Sequence, residues 1–90
     1  MINIDELKKK IIYRSSYRGT KEMDNLLGAF TKKYINQLSE DDLIELDKLL
    51  SFDDKYLYNY YNGFETEIDI ENNNVTSLFK NFIRVSYKQV

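Results

Sequence analysis

Ile11-Ile12-Tyr13-Arg14-Ser15-Ser16-Tyr17-Arg18-Gly19-Thr20-Lys21-Glu22-Met23-Asp24-Asn25-Leu26-Leu27 holds the end of one helix and the start of the next. Upstream, Ile4, Leu7, Ile11 and Ile12 recur at helical spacing, so this apolar stripe predicts a helix from about Asn3 to Ser16. Gly19 suits the left-handed position that closes a helix. Thr20 is a good N-cap for the next one, and Glu22 and Asp24 fall in its first turn, where the helix dipole favours acids. Met23, Leu26 and Leu27 then open a second apolar stripe that continues through Phe30, Tyr34 and Leu38. Two amphipathic helices joined by so short a turn must pack against each other, which predicts an α-helical bundle.

The same signals recur outward from this junction. Asn3 followed by Glu6 resembles a capping box. Gly28 lies inside the second helix at a cost of roughly 1 kcal/mol relative to Ala, which points to close helix–helix approach. Ser39-x-x-Asp42 opens a third helix with Leu43, Leu46, Leu49 and Leu50 on its buried side. A fourth runs from about Asp53 to Asn62 with Leu57, Tyr60 and Tyr61 inward, and stops at Gly63. In residues 64–73, Phe64, Thr66, Ile68 and Ile70 alternate with acids, but no second strand exists to pair with them. That stretch is an acidic loop. A fifth helix follows Asn74 as N-cap, with Val75, Leu78, Phe79, Phe82, Ile83 and Tyr87 on one face. The fold expected is all-α, a compact single-domain bundle of about five short helices spanning residues 1–90.

Composition narrows the function. The 90 residues contain no Cys, no His and no Pro. Disulfides, thiolate metal sites, Ser–His and Cys–His nucleophile pairs and most zinc sites are thereby removed. No apolar run approaches the ~20 residues that span a bilayer. No signal-peptide core or Arg/Ser-rich transit segment stands at the N-terminus, so a cytoplasmic location is expected. A domain of this size is expected to be stable by about 5–10 kcal/mol.

Net charge is −2, but it is unevenly spread. Residues 1–34 carry eight Lys/Arg and four acids, residues 35–71 two against eleven, and the last nineteen three against none. Basic ends packed beside an acidic middle account for this. Asp41/Asp42 and Asp53/Asp54 sit at helix starts, where capping explains them. Glu65, Glu67, Asp69 and Glu71 lack the Gly-punctuated order of a calcium loop. Tyr56, Tyr58, Tyr60 and Tyr61 could form an aromatic platform, although Tyr60 and Tyr61 fit the core better. Lys8, Lys9, Lys10, Arg14, Arg18 and Lys21, interleaved with Tyr13 and Tyr17, are the one argument for nucleic-acid binding. A pI near 5.1 and the lack of a known module weigh against it. An enzyme is the least supported class, and no metal or cofactor is expected on the chain. Around Gly19, Arg18 and Glu22 could flank a close backbone approach to a partner as charged anchors.

The segment Arg18-Gly19-Thr20-Lys21-Glu22-Met23-Asp24 resembles the Arg-Gly-x-x-Glu signature, with its following Asp, of the small FAD assembly factors of succinate dehydrogenase, the flavinators. The likeness continues through Leu26-Leu27, Phe30 and Leu38-Ser39. It resumes at Leu49-Leu50, Asp54 and Leu57-Tyr58-Asn59-Tyr60 before Gly63. Two positions depart from the family pattern: Tyr17 stands where another Arg is common, and Tyr60 where Trp is common. The resemblance implies a five-helix protein, monomer or weak dimer, that binds the flavoprotein subunit of succinate dehydrogenase and promotes covalent attachment of FAD to it. The related fumarate reductase flavoprotein is a second implied client. The histidine that takes the flavin would belong to the partner, so a chain without His suffices. Partner-binding residues implied are Arg18, Gly19 and Glu22, supported by Arg14 and Asp24, with no stable nucleic acid and no membrane insertion. The competing expectation is a general interaction adaptor or antitoxin-like helical protein, with an RNA-binding module behind it.

Overall fold

The structure is a computed structural model and describes residues 3–82. Among these residues it contains five helices and no strand: α1 (Ile4–Ser16), α2 (Lys21–Tyr34), α3 (Glu40–Leu50), α4 (Asp54–Tyr61) and α5 (Asn74–Lys80). α1 packs on α2 and α3, while α5 closes the bundle against α3 and α4. The apolar stripes meet in one core of Ile11, Leu27, Phe30, Leu46, Leu57, Val75 and Phe79, all fully buried. Phe30 and Phe79 meet edge to face at 5.4 Å between ring centroids, a favourable aromatic geometry. Tyr60 stacks nearly parallel on Phe79, and Tyr61 donates its hydroxyl to the Phe82 carbonyl. Both tyrosines thus pack inward with the hydroxyl at the core edge, as their spacing indicated.

Side-chain caps start four of the helices. Asn3, Thr20 and Ser39 accept backbone N–H groups from Glu6, Met23 and Asp42 at 3.1, 3.1 and 3.2 Å. The fifth helix begins one residue earlier than expected, capped by Asn73 and not Asn74. Asn73 accepts from the Thr76 N–H while the Thr76 hydroxyl accepts from the Asn73 N–H, a reciprocal capping box. α2 stops at Tyr34, and its apolar stripe reaches Leu38 through a turn in which Gln37 and Leu38 both donate to the Tyr34 carbonyl. In residues 64–73 Ile68 and Ile70 are half-buried while Glu65, Glu67, Asp69 and Glu71 are exposed, the solvated acidic loop that was expected. Ile83 and Tyr87, assigned to the fifth helix, lie outside the described residues.

Two glycines behave differently from expectation. Gly63, at φ 78°, is the described residue with a left-handed backbone; Gly19 is not, and α1 instead ends on Tyr17 at φ −123°, ψ 72°. A β-carbon on Gly28 would lie 3.9 Å from the Ser15 carbonyl oxygen, ordinary contact, so α1 and α2 do not need a glycine there to approach.

Candidate functional site

Residues 17–20, between α1 and α2, face the short α3–α4 connection, and Arg18 ties the two together. Its side chain is only 10% exposed. Nε donates to Asp54 Oδ1 at 2.8 Å, and Nη1 donates to the Leu50 carbonyl at 2.8 Å and the Arg14 carbonyl at 3.1 Å. Nη2 donates to the Phe52 carbonyl at 2.8 Å. Leu50 is the last residue of α3, so the guanidinium satisfies carbonyls at a helix C-terminus, where a cation is also favoured by the dipole. Only a planar fork with several divergent N–H groups reaches all of these acceptors at once.

Asp54 completes the clasp from the first turn of α4. Its second oxygen, Oδ2, accepts the Gly19 N–H at 2.7 Å. A β-carbon on Gly19 would lie 3.0 Å from that same oxygen, so a larger residue here would push against the carboxylate that holds the turn. Asp24 reaches back from α2 to accept the Arg18 backbone N–H. The turn is therefore held from both sides by carboxylates on two different helices. Capping does not account for the Asp53/Asp54 pair as expected: Asp53 occupies the N-cap without a side-chain cap bond, and Asp54 points to another element.

Arg14 lies one turn back along α1 and donates from Nη1 to Asp47 Oδ1 at 2.9 Å, while Lys10 holds Oδ2 of the same carboxylate at 3.2 Å. These α1–α3 ion pairs, with Arg18–Asp54, are the packing of the basic N-terminal end against the acidic middle, while Arg84 and Lys88 of the other basic end lie outside the described residues. Of the five residues proposed from sequence, the structure thus commits the side chains of Arg14, Arg18 and Asp24 and the Gly19 N–H to contacts inside the molecule, while Gly19 and Glu22 occupy exposed positions. The charged group of Arg18 is consequently not an outward anchor.

What faces solvent beside Gly19 is aromatic. Tyr17 is 70% exposed, and its ring lies 4.7 Å from that of Tyr13, also exposed, one helical turn away. Tyr17 lines a shallow depression of about 240 Å³ with Arg18, Gly19, Asp53 and Asp54. Sequence reasoning named Tyr17 only as a residue interleaved with Arg14 and Arg18 and as a departure from the family pattern, and did not identify Asp54 as the pivot of the turn. Asp54 carried no local signal, because its partner lies 36 residues away.

Comparison with known proteins matches residues 9–83 to the family described as flavinator of succinate dehydrogenase. A relative from Dictyostelium discoideum, named succinate dehydrogenase assembly factor 2, mitochondrial, is 36% identical over 72 residues, covering 72% of this chain and 51% of its own. Relatives of the same name from Lodderomyces elongisporus and Scheffersomyces stipitis are 42% and 44% identical over 55 and 54 residues. Those alignments cover 61% and 59% of this chain, and 34% and 36% of the relatives. The chain therefore spans about a third to a half of the relatives it matches. No solved structure matches it. The relatives' mitochondrial naming overturns the expected cytoplasmic location; that expectation rested on composition and the absence of a recognisable leader, neither of which encodes a compartment. No helix among the described residues is long and apolar enough to cross a membrane. With the family's signature folded into the clasped turn and its match running over most of the sequence, the chain belongs to the flavinator family of succinate dehydrogenase.

Proposed function

We propose that this chain acts in succinate dehydrogenase assembly by binding the flavoprotein subunit through the surface around Gly19 and promoting covalent attachment of FAD to that subunit. The observation that carries the reading is the clasped turn: the family signature is a rigid edge whose geometry Arg18, Asp24 and Asp54 fix from within. A surface ordered before binding loses little conformational freedom on contact, so more of the contact energy remains for affinity. Gly19 lets a partner backbone approach closely, Tyr17 and Tyr13 supply rigid aromatic area, and Glu22 supplies a charge at the rim. The chain contributes no nucleophile. Its role is to hold the partner so that flavin and acceptor histidine, both the partner's, stay aligned, which converts an improbable encounter into a productive one. The flavoprotein of fumarate reductase is a client of the same kind.

The test is co-production with a flavoprotein subunit, followed by denaturing electrophoresis and in-gel flavin fluorescence, which reads only covalent FAD. Wild-type chain should raise the signal, and Glu22→Ala and Tyr17→Ala should lower it with the helical spectrum unchanged. Equal flavinylation with and without the chain refutes the proposal.

A further inference from the structure

The depression of about 240 Å³ beside Gly19 is unevenly charged. Two carboxylates, Asp53 and Asp54, and one guanidinium, Arg18, line it, so the lining is net negative. Arg18 and Asp54 are spent within the chain. The guanidinium binds Asp54 and three carbonyls, and the two Asp54 oxygens accept from Arg18 and from the Gly19 N–H. The excess charge therefore belongs to Asp53, which is exposed. Its carboxylate makes no capping bond to α4 and has no hydrogen-bond or ion-pair partner among the described residues. The positive end of α4, worth roughly half a charge, offsets it only in part. The ring of Tyr17 lines the same depression, 70% exposed and braced by Tyr13. Lys33, Lys55 and Lys80 sit over Tyr34, Tyr56 and Tyr60, whereas neither Tyr13 nor Tyr17 carries a cation among the described residues.

We propose that this depression receives an arginine side chain of the flavoprotein subunit, whose guanidinium lies on the Tyr17 ring and pairs with the Asp53 carboxylate. The inference rests on the flavoprotein-binding reading and adds the chemistry of the contact. A planar guanidinium stacks on an aromatic face and pairs through its N–H fork with a carboxylate at the same time. An ammonium is a compact, strongly hydrated point charge and does not combine the two. An apolar side chain would cover Asp53 and leave its charge desolvated without a partner, and an acidic one would add repulsion. Arg18 does not bar an incoming cation, because its side chain is only 10% exposed and its charge is already paired with Asp54. Gly19, without a side chain, leaves room between ring and carboxylate for the incoming group.

Calorimetric titration of the full chain into a flavoprotein subunit tests it. Asp53→Asn keeps a good N-cap and removes the charge, so it should weaken binding about tenfold while the melting curve stays in place. Tyr17→Phe, which keeps the ring, should bind like wild type, and Tyr17→Leu, which keeps apolar area without a π face, should not. The arginine is then located by phenylglyoxal modification of the flavoprotein, free and saturated with the chain, read by peptide mass spectrometry. Each protected arginine is changed to alanine and combined with Asp53→Asn. For one of them the second substitution should cost less than about 3-fold where each alone costs about tenfold, because paired groups are non-additive. Protection of no arginine, or fully additive losses for every protected one, overturns the inference, as does unchanged affinity of Asp53→Asn. In those cases a wild-type chain that still binds and raises covalent FAD leaves the flavoprotein reading standing; a wild-type chain that does not bind removes both. Asp53→Ser, an uncharged N-cap of another shape, decides the matter where Asp53→Asn fails to fold.

Discussion

Arg18→Lys preserves the charge at the centre of the clasp and removes the fork. Arginine here donates four hydrogen bonds, to Asp54, Arg14, Leu50 and Phe52, along diverging directions. An ammonium at one point can keep the Asp54 contact and one carbonyl, so two charge-assisted bonds to carbonyls are lost. Such bonds are each worth about 1.5–3 kcal/mol when buried, and the lysine recovers part of the loss by shifting toward water. The expected destabilisation is about 2–4 kcal/mol, a large share of the roughly 5–10 kcal/mol that holds a domain of this size together. In a melt this corresponds to about 10–25 °C. Urea unfolding followed by far-ultraviolet circular dichroism measures it, with the m-value expected to stay constant. Lys10→Arg, at a half-exposed ion pair, is the control and should change stability by less than about 0.5 kcal/mol. If Arg18→Lys is as mild as that control, the guanidinium is not held inside the molecule and the clasp is wrong. Combining it with Asp54→Asn sharpens the result, because partners in one network should be non-additive by roughly 1–3 kcal/mol.

Tyr17→Ala should alter stability by less than about 0.5 kcal/mol, since the ring is 70% exposed, yet weaken flavoprotein binding about tenfold or more in calorimetric titration; unchanged affinity removes Tyr17 from the interface. Thr20→Ala deletes the acceptor for the Met23 N–H and should cost about 1 kcal/mol in urea, with α2 fraying first by hydrogen exchange. Leu57→Ala empties a fully buried site beneath α4 and should cost about 2–5 kcal/mol; a smaller loss means the core does not reach α4.

The helices were legible because their information is local. Apolar spacing and a polar residue three positions before an orphan N–H suffice to place the starts of α1, α2 and α3 within a residue, although the α2 stripe runs on to Leu38 past the helix end at Tyr34. α5 slipped by one because Asn72-Asn73-Asn74 offers three equivalent caps, and only Thr76, reaching back to the Asn73 N–H, selects among them. The turn at Gly19 was located correctly and explained incorrectly. A glycine after a helical run suggests a left-handed closure by residue type, yet here the missing β-carbon makes room for a carboxylate 35 residues away. The same distance hid the direction of Arg18. A charged side chain in an exposed-looking junction suggests an outward anchor until α3 and α4 bring carbonyls and Asp54 around it.

This inward direction changes how losses of function at the signature must be read. Arg18 touches no solvent-facing partner with its charged group, so an Arg18 variant that fails to bind has lost the shape of the turn that presents Gly19 and Tyr17. Gly19→Arg is ambiguous for the same reason, because its β-carbon displaces Asp54 before its guanidinium meets anything outside. The two kinds of residue separate when binding is plotted against stability. Variants of Arg18 and Asp54 should lose affinity in step with unfolding free energy, and a ligand-free stabilisation elsewhere, such as Gly28→Ala on the helix interior, should restore part of it. Variants of Tyr17 should fall off that line, losing affinity at constant stability. The signature then divides into a frame made by Arg18 and an edge that the frame holds in place.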